Sequence, residues 1–185
     1  GFRSEAVLGR AGRRETDDRL PAIVAAADRW GIPRNLLVGL IHYETAGTFD
    51  PRSEHPTDSR AIWSRYRRDN PHLVGGRRFA QHGEAGNPEA WGSKGLGQLI
   101  LATALVEGYP FTAPYTGLFD AATSVFLAAK RLRRLLDRHG GDLRDALAAY
   151  NSGLPLGRAP AVTRDRYVPG VMRLADRYRT DRRIT

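Results

Sequence analysis

A mainly α-helical fold is predicted by three observations. Apolar residues recur at i, i+3, i+4, i+7 in segment after segment. Gly, Pro and Asp stand at the ends of those segments, where helices stop and start. No strand–helix alternation of the kind that builds a parallel sheet is present. At 185 residues, 41% apolar and 26% charged, the chain has the profile of one globular domain with a real core over residues 1–185.

The elements follow in order. Residues 1–16 are Arg-rich and weakly patterned and read as an N-terminal arm or a short peripheral helix. Asp17-Asp18 offers caps for a helix to Trp30, with Pro21 in the first turn, Gly31 at the stop, and Ile23, Ala26, Ala27 and Trp30 inward. The next helix starts at Pro33 and stops at Gly47, and carries Leu37, Leu40, Ile41 and Glu44 on one face. Residues 52–94 break the pattern with Asn70-Pro71, Gly75-Gly76 and Gly86-Asn87-Pro88, and read as a long cleft-forming excursion holding one or two short helices or a small β-hairpin. Helical patterning resumes from Gly95 to Glu107. Asp120 or Thr123 caps a long helix to His139, with Val125, Ala129, Leu132, Leu135 and Leu136 inward and Arg131, Arg133, Arg134 and Arg138 on the wet face. Asp142 caps a helix whose inner face is Leu143, Ala146, Leu147 and Tyr150, ended by Asn151-Ser152-Gly153. A Pro/Gly loop at 154–160 leads to a last helix near 168–178.

Composition excludes several classes. No apolar run reaches the length of a membrane span, and no secretory signal is visible. The chain opens Gly1-Phe2-Arg3 without Met, as expected of a piece of a larger polypeptide or assembly. With no Cys there is no disulfide and no thiolate chemistry. His55, His72 and His82 share the excursion but match no metal-ligand spacing, so neither metal nor cofactor is expected. The net charge is +9, and apart from Lys94 and Lys130 its basic residues are all Arg. That balance favours docking to an anionic polymer, and a GC-rich genome or a heat-adapted source would enrich Arg equally. Nucleic acid has only this charge in its favour, since no helix-turn-helix or aromatic stacking platform stands out.

Glu44 carries the chemistry. A carboxyl on the leucine face of a helix end is pushed towards its neutral form by desolvation and by the negative end of the helix dipole. A carboxyl kept neutral near working pH is a general acid. The alternative is a last-turn Glu that bends out to solvent.

Four segments, in order, carry a family resemblance. Gly31-Ile32-Pro33 runs through an apolar stretch to Glu44-Thr45 and Phe49-Asp50-Pro51. Gly95-Leu96-Gly97-Gln98 is followed by Leu99-Ile100-Leu101-Ala102-Thr103-Ala104. Ala146-Leu147-Ala148-Ala149-Tyr150-Asn151-Ser152-Gly153 comes third, and Thr163-Arg164-Asp165-Arg166-Tyr167-Val168 last. Together they resemble the SLT-type lytic transglycosylases, relatives of goose-type lysozyme that cleave peptidoglycan. The resemblance covers about residues 20–178 outside the excursion. The chain departs from the family pattern at Thr45, where Ser is usual, at Gly97, where Met is usual, at Leu101 in place of Pro, and in two extra residues before Phe49.

The resemblance implies a lysozyme-like fold and peptidoglycan glycan strands as the partner. It implies cleavage of the MurNAc-β-1,4-GlcNAc bond with a 1,6-anhydroMurNAc product, at the bacterial cell wall, in a setting similar to that of virion-borne phage members. It implies Glu44 and Tyr167 as catalytic residues, and Thr45, Gly95, Leu96, Gly97, Gln98, Tyr150 and Asn151 as substrate-binding. A lysozyme-like hydrolase using Asp50, Glu54, Asp58, Glu84 or Glu89 as second acid, or a non-catalytic wall-binding or virion structural module, remains as the alternative.

Overall fold

The computed structural model describes residues 2–56, 60–69, 91–110 and 112–185, with side chains from residue 16 onward and only in part within 60–69. The architecture is mainly helical: α1 Phe2–Trp30, α2 Arg34–Glu44, α3 Arg60–Asp69, α4 Leu101–Val106, α5 Ala121–Arg138, α6 Leu143–Ser152 and α7 Val168–Tyr178. One two-stranded antiparallel sheet pairs β1 Glu54–His55 with β2 Ser93–Lys94. The excursion therefore holds both a helix and a hairpin-like pair whose strands lie at its two ends. Residues 57–59 and 70–90, which carry Asp58, Glu84, Glu89, His72 and His82, lie outside the described residues.

Caps and stops agree with the local chemistry. Asp120, rather than Thr123, caps α5 by accepting the Thr123 N–H at 2.9 Å, and Asp142 caps α6 by accepting the Asp145 N–H at 2.9 Å. Gly153 ends α6 at φ 78°. Two boundaries differ from expectation. Helix α1 is continuous from Phe2, so Asp17-Asp18 lies inside it and starts nothing, and residues 2–16 are helix rather than arm. Pro21 sits within that helix, where it can donate no N–H to the i−4 carbonyl. Residues 95–98 form a turn closed by a bridge between Lys94 and Leu99, so the helix begins only at Leu101.

The core lies where the stripes meet. Ile23 and Ala27 of α1, Leu37, Leu40 and Ile41 of α2, Leu132 of α5 and Ala146 and Leu147 of α6 have no exposed surface. Helix α1 packs on α2 and α5, and α6 packs on α5. The most extensive pairing is α2 with α7. It is close because Gly39 faces the α7 backbone: a Cβ there would stand 2.6 Å from the Ala175 nitrogen. One turn towards the end of α2, a Cβ on Gly170 would stand 2.3 Å from the Tyr43 ring. Two absent methyl groups thus let the end of α2 approach the start of α7, and that approach positions the site.

Candidate active site

Glu44 is the last residue of α2 and looks into an open cleft of about 450 Å³. One wall comes from α5 with Arg131, Arg134 and Arg138, and another from the end of α6 with Tyr150 and Asn151. The turn residue Gln98, the start of α4, and Ile62 and Arg65 of α3 complete it. Among the described lining residues Glu44 is the one carboxylate.

The Tyr167 hydroxyl donates to Glu44 Oε1 at 2.5 Å. This pairing occupies Oε1. Tyr167 reaches Glu44 from a π turn, Thr163–Tyr167, that runs straight into α7. Three residues separate Thr163 from Tyr167 within this wide turn. Its two ends are fixed. Thr163 Oγ1 donates to Asn151 Oδ1 at 2.7 Å, and the Tyr167 ring stands edge-on to Tyr43 at 5.0 Å.

Burial pushes the Glu44 carboxyl up to about 7, against opposing contributions from the Tyr167 hydrogen bond and the Arg131 charge. Burial and the Glu44 charge in turn hold the Tyr167 hydroxyl well above its ordinary range, so it stays a donor. Arg131 is anchored by the Ala149 and Tyr150 carbonyls at 3.3 and 3.4 Å, with its guanidinium 5.4 Å from the centre of the Tyr150 ring. Burial lowers its pKa, but its starting value keeps it cationic.

The remaining expected residues divide into two groups. Gln98, Tyr150 and Asn151 line the cleft, although two of them are largely engaged by the protein. Gln98, at φ 49°, donates from Nε2 to the Ser53 and Gly95 carbonyls at 3.0 and 2.8 Å, and its Oε1 accepts from His55 Nδ1 at 2.8 Å. The Tyr150 hydroxyl donates to the Gly97 carbonyl at 2.7 Å, tying α6 to the turn. Asn151 has only its oxygen occupied, by Thr163, so its amide N–H groups face the cleft without a partner among the described residues. Thr45, Gly95, Leu96 and Gly97 do not line the cleft. Thr45 is buried, where its hydroxyl donates to the Ile41 carbonyl and accepts the Phe49 N–H, so it closes the end of α2. Leu96 is wholly inside the core and supports the turn from beneath. Gly95 and Gly97 are packed against Leu118, Ser124 and Ala128, which leaves no room for a side chain.

The sequence reading missed the arginines. Arg131 and Arg134 were expected on a wet face; instead both turn into the cleft. Arg134 is held by Glu107 Oε1 at 2.5 and 2.7 Å, a carboxylate otherwise sealed from solvent. The available signal was their spacing of three on one helix, which puts both on the same side. The other candidate acids in the described residues are occupied: Asp50 Oδ1 accepts the Arg52 N–H at 2.9 Å within its own turn, and Glu54 pairs at 3.0 Å with the fully buried Lys94. No group of three metal-ligating side chains occurs among the described residues, and no described helix is long and apolar enough to cross a membrane.

A carboxyl whose pKa burial raises to about 7, set against an open cleft, is of the class of groups that can exchange a proton near neutral pH. The profile of the Transglycosylase SLT domain matches residues 21–159, three quarters of the chain, and the chain belongs to that family. Membership supports lytic transglycosylase-type cleavage of peptidoglycan. The matched stretch ends before the π turn, so the Tyr167–Glu44 contact lies partly beyond it. No curated protein and no solved structure matches the chain significantly.

Proposed function

We propose that this domain cleaves the MurNAc-β-1,4-GlcNAc bond of peptidoglycan by non-hydrolytic transglycosylation, with Glu44 as both acid and base. Glu44 Oε2–H gives its proton to the glycosidic oxygen as the bond to MurNAc C1 breaks and GlcNAc departs with a free 4-hydroxyl. The MurNAc 2-acetamido oxygen shields the developing positive charge. The C6 hydroxyl then closes onto C1 and returns its proton to Glu44, which leaves a 1,6-anhydro ring and consumes no water. Tyr167 holds Oε1 throughout, and the Asn151 amide is free to bind the N-acetyl carbonyl. The observation that supports this reading best is that Glu44 is the single carboxylate among the described residues of the cleft, with burial raising its pKa to about 7. An inverting hydrolase needs a second carboxyl roughly 6.5–9.5 Å away to hold water, and a retaining one needs it closer. Asp50 and Glu54 are already committed to Arg52 and Lys94.

Mass spectrometry of digested peptidoglycan tests the reading. The expected muropeptides end in 1,6-anhydroMurNAc, one water lighter than hydrolysis products, with no new reducing ends. The Glu44→Gln protein should be folded and release none. Reducing-end products alone would replace ring closure by hydrolysis and direct mutagenesis to Asp58, Glu84 and Glu89.

A further inference from the structure

Among the described residues, the cleft holds more arginines than carboxylates that pair with them. Arg65 on α3 and Arg131 and Arg138 on α5 line it, and none of the three has a carboxylate partner among the described residues. Several arginines outside the cleft are matched: Arg34 with Asp28 at 2.7 Å, Arg133 with Asp137 at 2.6 Å, and Arg183 with both Asp181 and Asp17. Among the described residues, Arg134 is the one cleft arginine paired with a carboxylate, Glu107.

The three unmatched guanidiniums are spread over the groove. Arg131 is fixed by two carbonyls and the Tyr150 ring beside Glu44. Arg138 is exposed at the far end of α5. Arg65 reaches over from the excursion, its Nη1 3.9 Å from where a Cβ on Gly153 would stand, at the end of α6. A guanidinium presents a planar fork of donors that matches a carboxylate in a bidentate way. The sugars of a glycan strand are uncharged at their hydroxyl and acetamido groups. The carboxylates of peptidoglycan belong to the peptide stems carried by MurNAc.

We propose that Arg65, Arg131 and Arg138 form a carboxylate-binding subsite for the peptide stem, which makes stem-bearing strands the preferred substrate. The assignment rests on the glycan-cleaving reading and narrows its substrate. It gives the excursion a role, since α3 supplies Ile62 and Arg65 to the cleft lining.

The test compares kcat/KM on stem-bearing glycan strands and on the same strands with their stem carboxylates amidated, which exposes no MurNAc lactyl carboxylate, for the wild type and for an Arg65→Gln/Arg138→Gln double variant. Both side chains are exposed, so the variant should keep its melting temperature. Wild type should prefer strands with free stem carboxylates by roughly tenfold, mainly through KM, as expected for two or three charged contacts in a partly solvated groove. The double variant should lose most of that preference. Equal wild-type rates on the two substrates would overturn the subsite while leaving glycan cleavage standing, and so would a preference that survives in the variant. A wild type that cleaves neither substrate would overturn the glycan reading, and the subsite with it.

Discussion

Glu44 ionises near pH 7, so the rate should follow that proton. Cleavage requires the acid form, and activity should fall about tenfold per pH unit once the pH is above about 7, while the fold persists. A rate that keeps rising into alkaline pH would remove Glu44 as the acid. The same shift predicts a stability signature. The folded carboxyl titrates at about 7 against an ordinary 4.5, so the folded state holds the proton more tightly. Below pH 4.5 both states are protonated and nothing is lost; as pH rises from 4.5 to about 7 the native state loses stability, about 3 kcal/mol at most. Glu44→Gln does not titrate, so its melting temperature should exceed wild type increasingly from pH 4.5 to 7 and then level off. Tyr167→Phe is the complementary change. The hydroxyl lowers the Glu44 pKa, so its removal should move the alkaline limb of the rate profile upward and reduce kcat. An unmoved limb would show that the 2.5 Å contact does not influence the acid.

Helix α2 and helix α7 meet closely because Gly39 has no Cβ. Gly39→Ala would place a methyl 2.6 Å from backbone, which cannot rotate aside, so the two helices must separate. The expected cost is about 1–3 kcal/mol in denaturant unfolding. Activity should fall further than stability, because the separation pulls Tyr167 from Glu44, and helical circular dichroism should remain. Full activity in Gly39→Ala would mean that the helix spacing does not set the site. The π turn belongs to the same scale. Thr163 at its start grips Asn151 and Tyr167 at its end grips Glu44, so one wide turn connects α2 and α6 across the cleft.

For the molecule as a whole, charge governs encounter with the wall. A net charge of +9 and a cleft with unmatched arginines should draw the protein to an anionic polymer. KM on insoluble peptidoglycan should therefore rise as salt goes from about 0.05 to 0.5 M, because screening lengths shrink to a few ångströms over that range. A salt-independent KM would assign binding to uncharged contacts. Most of the helical layout was legible from local signals. The core faces of α5 and α6 were visible as apolar stripes, their starts as Asp120 and Asp142, and the span of α7 from its periodicity. Where signals were ambiguous the reading erred. Asp17-Asp18 is cap-like chemistry inside a continuous helix, and the Gly95–Glu107 stretch begins as a turn because its hydrogen bonds go to Ser53 and Leu99 instead of along a helix.

By itself the sequence determined the helices, the acid at the end of α2 and the segments of the family pattern, because each depends on spacing within a few residues. Whether Glu44 bends outward, which residues line the cleft and which arginines stay unmatched depend on neighbours far along the chain. Tyr167 meets Glu44 from 123 positions away. Tyr150 ties Gly97 from 53 positions away, and Leu96 and Thr45 are turned inward from motifs that suggested a ligand. Desolvation sets the Glu44 pKa, and it exists only when helices that are remote in sequence close around one carboxyl.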